Sequence, residues 1–261
     1  MRQRLPRWVL ALPLPLVLVA LWQVVVARSA FSLIPPPTTV AVTAWDFAFG
    51  GVYDYAYSHT LLTHVLASLS RVYGGFLLAA IVAVPLGIVL GRSTVLARFV
   101  DPTLQFLRPV PVTAWLPLAM ILFGVGPKAA IALIFIGTFF PILINTVDGV
   151  KYVEPRLIEA AEMLGTARTA ILTKIVMPAA LPSIFTGLRI SLGFAWVLVV
   201  VGEMTGVPQG LGAAIMDARN LSRTDLVIAG MFYIGVLGFA SDRIVVAIGR
   251  RALWWNPHAR T

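Results

Sequence analysis

The sequence predicts an all-α polytopic integral membrane protein with about six transmembrane helices. Of its 261 residues, 59% are hydrophobic and 12% are charged. In soluble domains about half of the residues are apolar and about a quarter are charged. Several apolar runs also approach the roughly 20 residues that a helix needs to span a bilayer. We expect one membrane domain, because no segment is polar enough to form a soluble one. The absence of cysteine excludes disulfides and thiolate chemistry.

Six apolar runs are candidate crossings. The first run follows three arginines and resembles a signal peptide, but its length favours a retained helix over a cleaved signal. The third run contains Pro111 and Pro117 and is expected to form a hairpin with the fourth, turning at 124–127. The six runs are 8–27, 75–92, 111–124, 128–147, 183–204 and 226–247.

The basic residues orient these crossings. With the N-terminus in the cytoplasm, thirteen fall on the cytoplasmic side: Arg2, Arg4, Arg7, Arg92, Arg98, Arg108, Lys151, Arg156, Arg168, Lys174, Arg250, Arg251 and Arg260. Five fall on the other side: Arg28, Arg71, Lys128, Arg219 and Arg223. Because cytoplasmic loops are enriched in Lys and Arg, we expect both termini in the cytoplasm and the loop 28–74 outside.

The end of that external loop shows helical periodicity. Four apolar residues recur at helical spacing: Leu62, Leu66, Leu69 and Tyr73. Three polar residues fall elsewhere on the turn: His64, Ser68 and Arg71. One straight helix over 61–91 would be about 46 Å long, which exceeds the hydrocarbon thickness. We therefore predict an amphipathic helix lying at the membrane interface before the second crossing.

Residues 154–177 are the most polar stretch between apolar runs. Pro155 suits the first turn of a helix, and Gly165 suits the left-handed residue that ends one. A second piece, 167–176, gathers apolar residues on one face, and Pro178 is expected to stop it. The sequence therefore predicts an L-shaped helix pair on the cytoplasmic surface, with acidic Glu159 facing away from the apolar side.

The spacing within this element resembles the EAA signature of ABC importer permeases. The matching residues are Glu159, Ala160, Ala161, Gly165, Ile175 and Pro178. Met177 stands where the family usually has leucine. Segments 108–150, 178–204 and 210–215 are similar to permeases of the nitrate, sulfonate and taurine group. The tail "LWWNPHAR" is most similar to the aliphatic-sulfonate members.

The resemblance covers roughly residues 59–256 and implies the type I ABC importer permease fold. It implies an anchor helix and external loop over 1–58, a permease core over 59–249 with coupling helices at 154–177, and a cytoplasmic tail over 250–261. In this family, two permease copies form the path through the bacterial inner membrane. Two cytoplasmic ATPase subunits bind ATP and Mg, and an extracytoplasmic binding protein delivers the substrate.

The implied function is transport of a small oxyanion or organosulfur anion, with aliphatic sulfonate first and taurine or nitrate as alternatives. The matching EAA residues are implied to couple the chain to the ATPase. The chain lacks the Gly-x-x-x-x-Gly-Lys-Ser/Thr phosphate loop, so we expect neither ATP hydrolysis nor a cofactor in this subunit. No metal site is expected, because His59 and His64 lack further ligand partners nearby.

Polar and aromatic residues inside the crossings are candidates for the substrate pathway. Each could instead snorkel, pack, or bond neighbouring helices. The candidates are Arg189, Trp196, Thr138, Thr186 and Trp115. Glu203, at the outer end of the fifth crossing, would repel an anion, so we expect gating or a contact with the binding protein there.

Two other classes of membrane protein fit the sequence less well. A secondary carrier, the main alternative, usually shows buried ionisable pairs and inverted repeats, and neither is evident here. An intramembrane protease needs a serine nucleophile and a histidine base within the bilayer. The three histidines, His59, His64 and His258, all fall outside the predicted spans.

Overall fold

The computed structural model describes residues 13–29, 33–53 and 55–255, and all regular structure within these ranges is helical. In chain order the helices are α1 (Pro13–Arg28), α2 (Pro37–Phe49), α3 (Leu61–Arg92), α4 (Thr94–Leu107), α5 (Leu116–Phe123), α6 (Pro127–Lys151), α7 (Pro155–Met163), α8 (Arg168–Ile171), α9 (Met177–Glu203), α10 (Leu211–Asn220) and α11 (Thr224–Ala252). A 3₁₀ turn, Val112–Trp115, precedes α5, and a π-helical turn, Leu172–Val176, joins α8 to α9. The predicted all-α membrane fold is confirmed.

Four helical segments are long and apolar enough to cross a membrane: Leu61–Arg92, Pro127–Lys151, Arg168–Glu203 and Thr224–Ala252. A fifth span consists of α4 and the segment Val112–Phe123, which meet at 90°. The helix α1 is apolar but shorter. Residues 8–12 of the first predicted crossing lie outside the described residues.

Helix α6 lies at the centre of the bundle, between α3 and α9. Small residues let the backbones approach closely: a Cβ added at Gly75, Gly87 or Gly91 of α3 would lie 2.6–2.7 Å from Ile134, Thr146 or Val150 of α6. The residue numbers of the two helices rise together with a constant offset. Helices α3 and α6 are therefore parallel.

Helix α9 packs on the other side of α6 in the opposite direction. A Cβ at Gly149, Gly187 or Gly202 would lie 2.7–2.8 Å from Ser183, Asn145 or Ala130. The residue numbers of α9 therefore increase along the contact as those of α6 decrease, and the two helices are antiparallel. We call the end of the bundle that holds residues 151–176 the EAA end. The opposite end holds the starts of α3, α6 and α11 and the end of α9.

Because α3 and α6 are parallel, the chain between them must return across the bundle. Helix α4, the 3₁₀ turn and α5 make this return, so the predicted crossing at 111–124 is one arm of a broken span. Helix α4 was not predicted from the sequence, because Arg98 and Asp101 interrupt its apolar pattern. Its apolar side chains Phe99 and Phe106 are largely exposed.

The predicted interfacial helix before the second crossing is wrong. Residues 61–92 form one continuous helix, and Leu62 and Leu66 are 68% and 57% exposed. The polar residues Ser68 and Arg71 are buried instead. They lie against the segment 203–212, which offers hydrogen-bond partners that lipid lacks.

The predicted stop at Pro178 is also wrong. The helix continues from Arg168 to Glu203. The π-helical turn precedes Pro178, and the amide of Met177 donates to the carbonyl of Leu172 there. This wider turn accommodates a proline that would break a regular helix.

Candidate functional site

The bend of the L-shaped element is a left-handed helix terminus at Gly165. The amide of Gly165 donates to Glu162 at 3.0 Å, and the amide of Thr166 donates to Ala161 at 3.0 Å. This pair of bonds is the Schellman arrangement, which requires a positive φ at the residue after the cap. Gly165 has φ +69°, and no atom lies within 4 Å of an added Cβ. The glycine is therefore needed for its backbone conformation rather than for space.

The inner face of the element holds it to the bundle. Ala161, Ile171 and Val176 are buried in a cluster with residues of α6 and α9. Ile175 packs against the same cluster, and Pro178 is half-buried at the start of α9. These contacts anchor the element, and three of the residues that make them, Ala161, Ile175 and Pro178, belong to the EAA signature.

The outer face of the element is apolar and uncovered. Met163 and Leu164 at the bend are 88% and 84% exposed, and Leu157 is 50% exposed. Glu159 and Ala160 are also exposed. Glu159 makes no ion pair within 4.0 Å to any residue that the structure describes. Exposed leucine and methionine beside an unpaired carboxylate form a surface suited to another protein.

At the opposite end, Glu203 lies in a buried polar network rather than on the surface. Its side chain is fully buried and its carboxylate lies 2.5 Å from Nη1 of Arg71. The hydroxyl of Ser68 is 2.9 Å from both carboxylate oxygens, and the amide of Gly212 donates at 2.9 Å. In this conformation the carboxylate joins α3, α9 and α10 inside the protein.

The turn into α10 is shaped around this carboxylate. A Cβ at Gly210 would lie 2.3–2.5 Å from the Glu203 carboxylate atoms. His64 completes the site, because its Nδ1 lies 2.9 Å from the carbonyl and 3.1 Å from the amide of Gly210. This site was not predicted from the sequence. The four-residue spacing of His64 and Ser68, followed by Arg71 on the same face, was the available signal.

Arg189 and Trp196 line a groove of about 720 Å³ between α9 and α11. The guanidinium of Arg189 binds both carboxylate oxygens of Asp242, at 2.5 and 3.0 Å. The indole of Trp196 donates to the hydroxyl of Ser241 at 3.2 Å. Both polar groups therefore already have protein partners.

The other pathway candidates do not join this groove. Thr138 is completely buried, and its hydroxyl donates to the carbonyl of Ile134 at 2.7 Å. Thr186 is exposed and bonds Pro182 within its own helix. Trp115 packs against the central hydrophobic cluster. The structure does not bring the five candidates together. Among the described residues, no three His, Asp or Glu side chains are placed to hold a metal ion.

A compact loop after α2 is held by one buried carboxylate, Asp46. Its oxygen Oδ1 accepts the amides of Val52 and Tyr53 at 2.9 and 3.0 Å, and Oδ2 accepts the hydroxyl of Ser58. Burial by itself raises the pKa of Asp46, but the hydrogen bonds from Ser58, Tyr53 and Val52, together with the positive charge of Arg223, hold the pKa below its ordinary value.

These features define a polytopic helical membrane protein with an L-shaped, partly exposed helix pair at one end. Residues 75–254 match the family described as binding-protein-dependent transport system inner membrane component. That match covers more than half of the chain. The protein therefore belongs to this family of ABC importer permeases.

Individual relatives agree with the family. A putative ABC transporter permease protein of Methanocaldococcus jannaschii is 43% identical over 95% of this chain and 92% of its own length. The putative aliphatic sulfonates transport permease protein SsuC of Bacillus subtilis is 38% identical over 95% and 88%. The taurine transport system permease protein TauC of Escherichia coli is 35% identical over 92% and 87%.

The fold is shared with a solved structure. A chain of the MetNI methionine ABC transporter, in an inward facing conformation, is similar with a TM-score of 0.58 and 21% identity. The similarity covers 72% of this chain and 95% of that chain.

Proposed function

We propose that the chain forms the transmembrane path of an ATP-driven importer for a small oxyanion or organosulfur anion. Two relatives are named for aliphatic sulfonates and for taurine, which both carry a sulfonate group. Aliphatic sulfonate is therefore the first substrate to test, followed by taurine and nitrate. In the proposed assembly the chain forms a homodimer with two ATPase subunits, and a binding protein meets the end opposite the EAA end.

The observation that carries this proposal is the exposed apolar bend at Met163 and Leu164, on an element anchored by Ala161. We place this end in the cytoplasm, where an ATPase subunit seats on it. Apolar packing should dominate the affinity, because an exposed ion pair from Glu159 contributes only about 0–1 kcal/mol. The ATP and Mg belong to that partner.

Uptake by the reconstituted importer tests the function. Proteoliposomes holding the permease and its ATPase are given the binding protein and labelled alkanesulfonate, taurine or nitrate. We expect uptake of at least one anion that stops without ATP and survives an uncoupler. Uptake that follows the ion gradient and needs no ATPase would instead identify a secondary carrier.

The docking surface has a matched control. Leu164 and Leu221 are both highly exposed, at 84% and 64%, but Leu221 lies at the opposite end. We expect Leu164→Ser to reduce co-purification of the ATPase subunit strongly and Leu221→Ser to leave it unchanged. Equal co-purification of the ATPase with both variants would contradict the assigned surface.

A further inference from the structure

The broken span between α3 and α6 contains irregular backbone at membrane depth. Residues 108–111 separate α4 from the 3₁₀ turn, at the 90° bend. The depth follows from Val112, whose Cγ1 would lie 3.0 Å from a Cβ at Gly137, near the midpoint of α6. Arg108 lines a cavity with Phe140 and Ile144, just past that midpoint towards the EAA end.

This backbone is not covered by the rest of the chain. Arg108, Pro109 and Pro111 are exposed. Exposed irregular backbone is tolerated within the bilayer only where it lines water or meets other protein. The bend therefore borders an aqueous cavity or the partner copy, not lipid.

Arg108 also differs from Arg71 and Arg189, two other arginines of the membrane-spanning segments. Arg71 and Arg189 have carboxylate partners at 2.5 Å. Arg108 has no carboxylate within 4.0 Å among residues 13–29, 33–53 and 55–255. A cation at this depth is costly unless it has a partner or water.

We infer that the bend at 108–111 borders the substrate path and that the Arg108 guanidinium contacts the transported anion. This inference rests on the proposed function. The planar guanidinium fork binds two oxygens at once, which suits sulfonate and nitrate alike. Asp101, Asp148 and Lys151 line the same cavity. Asp148 and Lys151 lie at the end of α6, so an anion that leaves Arg108 towards the EAA end next meets a region of mixed charge.

The chain contains no cysteine, so a single introduced cysteine is the one thiol in this chain that a thiol reagent can label. We expect Arg108→Cys to lower uptake by about ten- to hundredfold, because a charged hydrogen bond to the anion is lost. Aminoethyl methanethiosulfonate, which adds a positive charge, should restore part of the uptake. Sulfonatoethyl methanethiosulfonate, which adds a negative charge, should restore none. Arg108→Lys should retain more uptake than Arg108→Cys.

Arg98→Cys is the matched control, because Arg98 is exposed in α4, ten residues before Arg108. We expect it to transport normally with and without either reagent. Normal uptake by Arg108→Cys, failure of the reagents to label it, or equal rescue by both reagents would each overturn the inference. Co-purification with the ATPase establishes that a variant is folded. Failure of the unmodified importer to take up alkanesulfonate, taurine or nitrate would contradict the proposed function instead.

Discussion

Glu203 and Arg71 show how this protein keeps charges inside a membrane bundle. Their attraction alone does not offset the cost of removing two charges from water. The carboxylate of Glu203 also accepts hydrogen bonds from the hydroxyl of Ser68 and the amide of Gly212. One position of Arg71 stays unfilled, since its Nε has no hydrogen-bond partner. The stability of the buried pair therefore depends on these hydrogen bonds. Replacing either residue should also change the contribution of the other to the free energy of unfolding.

Removing one member of this pair should destabilise the protein strongly. We expect Glu203→Ala to cost about 3–5 kcal/mol, because Arg71 is left buried without a counter-charge. The double variant with Arg71→Met should recover part of that loss. Thermal unfolding of the purified protein in detergent measures both. Glu162→Gln, on the exposed side of α7, is the control, and strictly additive losses would contradict the argument.

Asp46 gives the loop 50–60 a defined pH dependence. Its folded pKa is lowered, so its stabilising contribution is complete above the ordinary carboxyl pKa of about 4. The contribution is lost as pH falls through the lower, folded value. We expect hydrogen-exchange protection of the Val52 and Tyr53 amides to fall only in strong acid. In Asp46→Ala, which has no side-chain acceptor for these amides, it should be low at every pH. Full protection in that variant would show that the carboxylate is dispensable.

The residues that the sequence assigned wrongly were polar ones whose partners are far along the chain. Periodicity correctly placed Leu62 and Leu66 on one face of a helix. It could not show which face is buried, because Ser68 and Arg71 find their acceptor 132 or more positions later. In contrast, Gly165 was predicted correctly, since its role depends only on the backbone around it.

At the scale of helices, two neighbouring glycines of α3 allow a controlled test of the α3–α6 contact. Gly74 and Gly75 are neighbours in α3, but a Cβ at Gly75 would lie 2.7 Å from Ile134, while one at Gly74 meets nothing within 4 Å. We expect Gly75→Ala to lower stability by about 1–3 kcal/mol through overpacking. Gly74→Ala should be neutral or slightly stabilising, because alanine favours helix. Equal unfolding temperatures would contradict the close packing.

Local patterns also explain which helices were predicted. Long apolar runs gave α6, α9 and α11 with small errors at the ends. The broken span was only half predicted, because its α4 arm mixes Arg98 and Asp101 with exposed apolar residues. The continuation through Pro178 depends on a π-helical turn, and no sequence pattern distinguishes that turn from a helix end.

Across the whole molecule, one helical segment connects the EAA end with the opposite end of the bundle. The segment Arg168–Glu203 has 36 residues, which corresponds to about 54 Å at 1.5 Å per residue. Its first turns pack against Ala161 of α7 through the cluster that contains Ile171 and Val176. Its last residue is Glu203, which fixes α10 at the opposite end. A displacement of the helix pair 155–176 can therefore be transmitted to the far end along one continuous helical segment.

This connection predicts that a substitution at the far end changes ATP hydrolysis by the ATPase subunit without weakening the binding of that subunit. Gly210→Ala should push the Glu203 carboxylate out of its site, because the new Cβ would lie within 2.5 Å of it. We expect normal co-purification of the ATPase and a reduced stimulation of ATP hydrolysis by substrate-loaded binding protein. Gly193→Ala, where a Cβ meets nothing within 4 Å, should behave as the unmodified protein. Full stimulation in Gly210→Ala would show that the two ends communicate by another route.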